Sequence, residues 1–280
     1  MVNASKVARD FLVNIIAIVL LIWILFPFYW TILTSLKHPS EIIRAPPSLW
    51  VSEPYLKNYV LTFTNVEFTK GLLNTAISSI SALFISLGLA IPASYGLARA
   101  GRGLRIRGKD SLYFTFITFR MLPVFVFIIP FYLLYRILGI FDTLYGLTVA
   151  YILIDLPLAV WFLTSFFEDT PWDIEDAYML DGYPRYKAVL GVTLPMVLPG
   201  IIATSIICII FTWSDLIFAL SLTSKFAKTA TYALLGNITF TQVKWGELCA
   251  QIMILSLPII LMSFYIQKYL VKGLTFGVVR

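Results

Sequence analysis

Six long apolar stretches limit what this sequence can fold into. An α-helix of ~20 apolar residues crosses the ~30 Å hydrocarbon core of a bilayer. Charged residues make up only 13% of the chain, about half of what a soluble domain carries. The sequence therefore predicts an all-α integral membrane protein in which residues 1–280 form one membrane domain. Its six transmembrane helices are predicted near residues 11–36, 71–97, 111–135, 145–167, 198–222 and 247–268.

The positions of the basic residues predict the orientation of these helices. Residues 99–109 contain Arg99, Arg102, Arg105, Arg107 and Lys109, whereas residues 136–144 contain only Arg136. Short cytoplasmic loops of membrane proteins are enriched in Lys and Arg. We therefore expect loop 99–109 and both termini to lie in the cytoplasm, and segments 37–70, 136–144 and 223–246 to lie outside. This placement explains the net charge of +6, so no nucleic-acid partner is expected.

The longest cytoplasmic segment under this topology, residues 168–199, is acidic. Thr170 and Asp173 form a capping-box pattern that predicts the start of a short helix. Asp181-Gly182 predicts a break before a second short helix. Because the cytoplasmic leaflet is itself negative, this helix pair suits a groove in a soluble protein better than a lipid surface. A connector that lies on the lipid headgroups is the alternative.

The same segment resembles the cytoplasmic loop of permease subunits from binding-protein-dependent ABC importers. That loop reads E-A-A-x-x-D-G, with thirteen residues from its glycine to the proline of I-x-L-P. Here residues 176–182 read DAYMLDG, residues 192–195 read VTLP, and the same interval separates Gly182 from Pro195. Asp176 replaces the first glutamate, with Glu175 one position earlier, and Tyr178 replaces an alanine.

This resemblance implies that the segment couples the permease to an ATPase. Gly182 would set the turn, Asp176 and Glu175 would present charge to the ATPase, and Leu194-Pro195 would return the chain to the membrane. The implied coupling residues are Glu175, Asp176, Ala177, Asp181, Gly182, Leu194 and Pro195.

Further stretches resemble the maltose/trehalose-type group of this family. They are PFYWTILTSLKHPSEIIRAPP (27–47), Asn58-Tyr59, Asn74-Thr75 and QKYLVKGLTFG (267–277). The resemblance implies the type I ABC importer fold in a multi-pass protein of the cell membrane. It implies as partners a second permease subunit (a heterodimer), two ATPase subunits, an extracytoplasmic solute-binding protein, membrane lipid, and a sugar such as maltose or trehalose.

The chain itself is not expected to be an enzyme or to hold a cofactor or metal; ATP and Mg²⁺ would be on the partner ATPases. Residues 103–110, GLRIRGKD, nearly match a phosphate-binding P-loop, but Asp110 replaces the hydroxyl residue that binds magnesium, and no buried strand precedes the pattern. His38, the only histidine, makes no metal site alone. Cys208 and Cys249 predict neither a disulfide framework nor a metal site.

Three charged residues lie inside predicted transmembrane helices, where such residues tend to be functional. Arg120 and Asp155 lie at similar depth in neighbouring antiparallel helices, either as a packing ion pair or in the solute path. Asp215 stands where the family usually has asparagine. The candidate solute-pathway residues are Arg120, Asp155, Trp213 and Asp215. The alternative functions are a secondary transporter that uses these charges for ion coupling, and a structural or assembly subunit of the membrane.

Overall fold

The structure is a computed structural model that describes residues 4–100 and 108–276. Three basic residues lie outside this range: Arg102, Arg105 and Arg107. Most of the P-loop-like pattern and Gly277, the last residue of the 267–277 stretch, also lie outside it. The elements of the structure include a π-helical segment, Val189–Thr193, and a 3-10 turn, Leu235–Asn237. In chain order the α-helices are α1 (Ala4–Ser35), α2 (Pro39–Ile42), α3 (Lys57–Thr64), α4 (Val66–Ala98), α5 (Lys109–Met121), α6 (Phe125–Leu138), α7 (Leu144–Glu168), α8 (Trp172–Leu180), α9 (Arg185–Ala188), α10 (Leu194–Trp213), α11 (Ile217–Leu222), α12 (Ala230–Leu234) and α13 (Trp245–Phe276).

Within residues 4–100 and 108–276, five helical stretches are long and apolar enough to cross a membrane, and the pair α5–α6 makes a sixth if it is counted as one. The predicted all-α membrane fold is therefore confirmed. The side of the membrane on which the termini lie stays a prediction.

Two of the predicted transmembrane stretches are not continuous helices. Stretch 111–135 is divided into α5 and α6, which are bent by 91°. Pro123 causes this break, because proline forces the preceding residue out of the helical region, and Leu122 is extended with a ψ of 132°. Stretch 198–222 is likewise divided, since α10 ends at Trp213 and α11 begins at Ile217.

The chain divides into two compact units, Met1–Thr69 with Leu234–Ser256 and Lys70–Ala233 with Leu257–Arg280. Buried amides organise the first unit. Asn58 donates hydrogen bonds to the carbonyls of Ser35 and Lys37, which fixes α3 against the end of α1. Asn237 donates to Gln251 at 2.7 Å. The prediction of a single domain stays a prediction.

The core of the second unit lies around α7. Its buried face packs with α4 and α10 in one apolar cluster. Helices α7 and α10 approach closely at Gly200, where any β-carbon would overlap the ring of Phe166. The buried members of the cluster are Ala90, Leu97, Ala98, Leu158, Ala159, Val160, Leu163, Phe167, Val197 and Cys208. These helices hold the two ends of segment 168–199.

Asp142 connects two stretches that are predicted to lie outside, segment 136–144 and the beginning of segment 223–246. Its carboxylate accepts hydrogen bonds from the backbone N–H groups of residues 224–227 and from the Ser224 hydroxyl. The residue has a left-handed φ of 58°. Burial raises the pKa of Asp142, but these backbone N–H donors outweigh it and lower the pKa to about 2. The carboxylate therefore stays ionised and holds residues 224–227.

Candidate functional site: segment 168–199

Segment 168–199 forms the two predicted short helices, α8 and α9, separated by a turn. Gly182 has a φ of +88°, so the predicted left-handed turn is confirmed. The predicted capping box is wrong, because α8 is preceded by Pro171 without a side-chain cap. The hydroxyl of Thr170 instead donates to the Phe166 carbonyl and extends the hydrogen bonding of α7.

The second short helix continues without interruption into the membrane helix that follows. Residues 185–188 are α-helical, residues 189–193 form the π-helical segment, and α10 begins at Leu194 with Pro195 in its first turn. Because proline has no backbone N–H, Pro195 removes one donor from the hydrogen-bond ladder where the π-helical segment passes into α10. A π-helical turn inside an α-helix is often found at a functional site.

The outer side of α8 and α9 carries exposed apolar and acidic residues, which we call the α8–α9 surface. Asp176, Ala177, Asp181 and Gly182 are all exposed. Leu180 is 88% exposed, although it is a large apolar side chain. The remaining large apolar members are Ile174, Tyr183, Tyr186 and Leu190. Tyrosine is one of the residue types enriched at the energetically dominant positions of protein interfaces, and burial of an exposed aliphatic side chain is itself favourable.

Tyr178, the main departure from the family pattern, packs inside the segment. Its ring lies against the ring of Tyr183 across the Gly182 turn, with centroids 4.7 Å apart. Its hydroxyl lies near Gly191, where a β-carbon would be 3.5 Å away. Tyr178 therefore contacts both the turn and the π-helical segment, which an alanine is too small to do.

A buried ion pair lies beneath this surface. The guanidinium of Arg99, just after α4, donates to Oε1 of Glu175 from Nε at 3.0 Å and from Nη2 at 2.6 Å. Both residues are almost fully buried, at 1% and 3% exposure. The arginine also donates to the carbonyl of Phe167, near the end of α7, at 2.9 Å. The pair thus joins α4, α7 and α8.

Three neighbouring side chains also contact the ion pair. Tyr95 donates its hydroxyl to Oε2 of Glu175 at 2.9 Å, and Thr193 donates to Oε1 at 2.9 Å. The indole of Trp172 lies 4.1 Å from the guanidinium carbon of Arg99, at a cation–π distance. Since Thr193 ends the π-helical segment, the pair is also tied to the start of α10.

These contacts revise the roles predicted from the sequence. Glu175 is buried and paired, so in this structure Asp176 presents its carboxylate at the surface and Glu175 does not. The sequence places Arg99 in a basic loop, and the structure shows that its side chain pairs with Glu175 of segment 168–199. Tyr95 and Thr193 were not predicted at all. Tyr95 and Arg99 lie four residues apart, the spacing of one helix face, but no sequence signal links them to Glu175, which follows them by 80 and 76 residues.

Among the described residues, the candidate solute-pathway residues Arg120 and Asp155 do not form the predicted ion pair. Both carboxylate oxygens of Asp155 are buried without a hydrogen-bond partner among the described residues. The Arg120 guanidinium lies over the ring of Phe211, 4.3 Å from its centroid. A direct Arg120–Asp155 contact is therefore not part of this conformation.

Asp215 is held by hydrogen bonds from neighbouring residues, and the side chain of Trp213 is buried. The Asp215 carboxylate accepts hydrogen bonds from the N–H groups of Phe218 and Ala219 in the first turn of α11, at 3.3 and 3.1 Å. Its backbone carbonyl accepts the hydroxyl of Thr231 at 2.6 Å. Trp213 is buried, with 7% exposure. A role of these residues in the solute path stays a prediction.

A family model decides the class of this protein. The model, described as the binding-protein-dependent transport system inner membrane component, matches residues 90–276. The chain belongs to this family. It is therefore the permease of an ABC importer and a multi-pass protein of the inner membrane.

Relatives of known sequence match along nearly their whole length. A probable ABC transporter permease protein, y4oR of Sinorhizobium fredii, is 31% identical over 99% of this chain and 98% of its own length. The trehalose transport system permease protein SugB of Mycobacterium tuberculosis is 32% identical over 91% of this chain and 92% of its own.

A solved structure shows the same fold. A chain of a bacterial ABC transporter involved in the import of the acidic polysaccharide alginate superposes with a TM-score of 0.79. It is 19% identical, and the match covers 96% of this permease and 99% of that chain. The predicted type I importer permease fold is thereby confirmed.

Membership of the family also settles what the permease is not. It is a transport subunit and not an enzyme, since a partner ATPase hydrolyses the ATP in such importers. The alternative of an ion-coupled secondary transporter is not favoured.

Proposed function

We propose that this permease forms half of the translocation pathway of an ATP-driven sugar importer and binds its ATPase through segment 168–199. The α8–α9 surface carries the proposal, because it exposes aromatic and aliphatic side chains beside Asp176 and Asp181. In the assembly, a second permease subunit completes the pathway, two ATPase subunits bind on the cytoplasmic side, and an extracytoplasmic binding protein delivers the solute.

Burial of Leu180 gives the surface a specific anchor. A leucine that passes from 88% exposure to a buried site gains about 2 kcal/mol. Tyr183 and Tyr186 lie across the Gly182 turn from it and add amphipathic area at low entropic cost. Movement of the ATPases during their cycle then reaches α7 and α10 directly, because α8 and α9 follow one helix and precede the other.

Affinity purification of the tagged permease in a gentle detergent tests this assignment. We expect a nucleotide-binding ATPase and a second permease to copurify and to be identified by mass spectrometry. Recovery of the permease alone, with ATP-independent transport retained after reconstitution, would contradict the proposal.

A matched pair of substitutions locates the contact. Leu180→Asp places a charge in the proposed interface and should reduce the amount of copurified ATPase by about tenfold or more, as for other interface anchors. Ile43→Asp changes a side chain of similar exposure, 79%, in segment 37–70 and should leave the ATPase bound. Equal recovery of the ATPase with both variants would exclude the α8–α9 surface as the contact.

The sugar assignment is supported by the relationship to the trehalose permease SugB over most of both chains. A disaccharide of the maltose/trehalose type is the solute we propose. Proteoliposomes that contain the purified complex and its binding protein should accumulate radiolabelled trehalose or maltose when ATP is enclosed on the ATPase side. Uptake of glycerol 3-phosphate with neither sugar accepted would overturn the substrate class but not the importer assignment.

A further inference from the structure

We propose that Arg99 and Glu175 are positioning residues for energy coupling. Through this ion pair, movement of α8 is passed to the end of α4 as well as to α7 and α10. The inference rests on the proposed function of segment 168–199 and adds to it a specific internal link. Neither residue touches solute or ATP in this account; both act through the helices they join.

The geometry of the pair favours a rigid link over a loose contact. All three guanidinium nitrogens of Arg99 donate hydrogen bonds, to Glu175 and to the carbonyls of Phe167 and Thr170. Both oxygens of Glu175 accept, from Arg99, Tyr95 and Thr193. Hydrogen bonds with charged partners are short and directional, so this arrangement fixes α8 in orientation as well as in position.

Burial of the charges indicates a role beyond stability. Removing two charges from water is costly, and apolar residues of similar volume often stabilise a protein as well or better. Apolar side chains, however, do not fix one orientation in the way that directional hydrogen bonds do. A pair that holds four segments in one arrangement is suited to transmitting a displacement between them.

The α8–α9 surface and the ion pair lie on opposite sides of α8. Asp176 and Leu180 face outward, whereas Glu175 faces the protein interior. When a partner bound to the outer face displaces α8, the displacement therefore also acts on Arg99 through Glu175 on the inner face. If the pair is removed, α8 keeps its chain connections to α7 and α9 but loses its link to α4.

The test is the number of ATP molecules hydrolysed per solute imported by the reconstituted importer with Glu175→Gln. The glutamine keeps the size and one acceptor of the side chain but removes its charge. We expect the ATPase to remain bound, and the ATP consumed per imported solute to rise by about tenfold, within the range typical of coupling between sites. The control Asp110→Asn removes an exposed carboxylate at the start of α5 and should keep the wild-type ratio.

A double variant, Arg99→Met/Glu175→Leu, separates coupling from stability. Because it replaces both charges by apolar side chains, it leaves no unpaired buried charge even if Glu175→Gln alone fails to assemble. We expect a stably inserted complex that binds the ATPase and hydrolyses ATP with a raised ATP-to-solute ratio. A wild-type ratio in this variant, or in an assembled Glu175→Gln complex, would overturn the inference. Absence of an ATPase from the wild-type complex would instead overturn the proposed function.

Discussion

The Gly182 turn shows at the residue scale how a single backbone angle supports the proposed contact. Its φ of +88° is one that side-chain-bearing residues rarely adopt, and the space around it is open. Strain and not a clash would therefore decide the effect of a substitution. A non-glycine residue held in this region costs about 1–3 kcal/mol.

We predict that Gly182→Val lowers ATP-driven uptake severalfold while the permease is still inserted in the membrane. The matched control is Gly139→Val, since Gly139 has a φ of +69°, equally open surroundings and a place at the end of α6, outside the coupling segment. Uptake is compared in vesicles with equal amounts of both variants. If the two variants lose uptake equally, the effect is general strain and not a change in the coupling turn.

A second residue-scale prediction concerns Asp142 and pH. Its pKa of about 2 lies below the value of ~3.9 for a free aspartate. The stabilisation it gives to residues 224–227 is therefore complete above about pH 4 and is lost as the pH falls toward 2. Hydrogen exchange of these amides, normalised to their intrinsic rates, should show protection that disappears over this interval. In Asp142→Asn the protection should be weak at every pH, and an unchanged profile would contradict the assigned role.

The local backbone of segment 168–199 could be predicted from the sequence alone. Asp181-Gly182 and Leu194-Pro195 have backbone preferences that any chain would express, and the structure places them at the turn and at the start of α10. The partners of Glu175 were not predictable, because they come from distant parts of the chain. Burial of a glutamate depends on whether an arginine is brought to it, and that is a property of helix packing.

At the scale of helices, α7 and α10 pack closely because Gly200 leaves room for the ring of Phe166. Gly200→Ala should destabilise the permease by about 1–3 kcal/mol, the usual cost of overpacking a core. Thermal unfolding in detergent measures this loss. Because the methyl group would meet the Phe166 ring, the double variant Gly200→Ala/Phe166→Leu should recover part of the lost stability. Additive effects of the two substitutions would show that this contact does not limit the packing.

The break between α5 and α6 marks a limit of reading helices from hydropathy. Apolar residues continue through stretch 111–135, so composition predicts one membrane-crossing helix. Pro123 is compatible with a modest kink in such a helix as well as with a full break. The structure shows a full break with a bend of 91°, and hydropathy carries no information about that angle.

At the scale of the whole molecule, we propose that the permease receives movement through one short segment and passes it to three membrane helices. Segment 168–199 connects α7 to α10 in the chain, and the Arg99–Glu175 pair adds α4. This proposed path of movement depends on the identity of the protein that contacts the α8–α9 surface.

Photo-cross-linking from position 180 tests that identity most directly. A photoreactive amino acid replaces Leu180 in the tagged permease, and a control protein carries it in place of Ile43. After illumination of native membranes, we expect an adduct with the ATPase subunit from position 180 and none from position 43. An active importer that gives no ATPase adduct from position 180, or gives one from both positions, would show that the α8–α9 surface is not the ATPase contact.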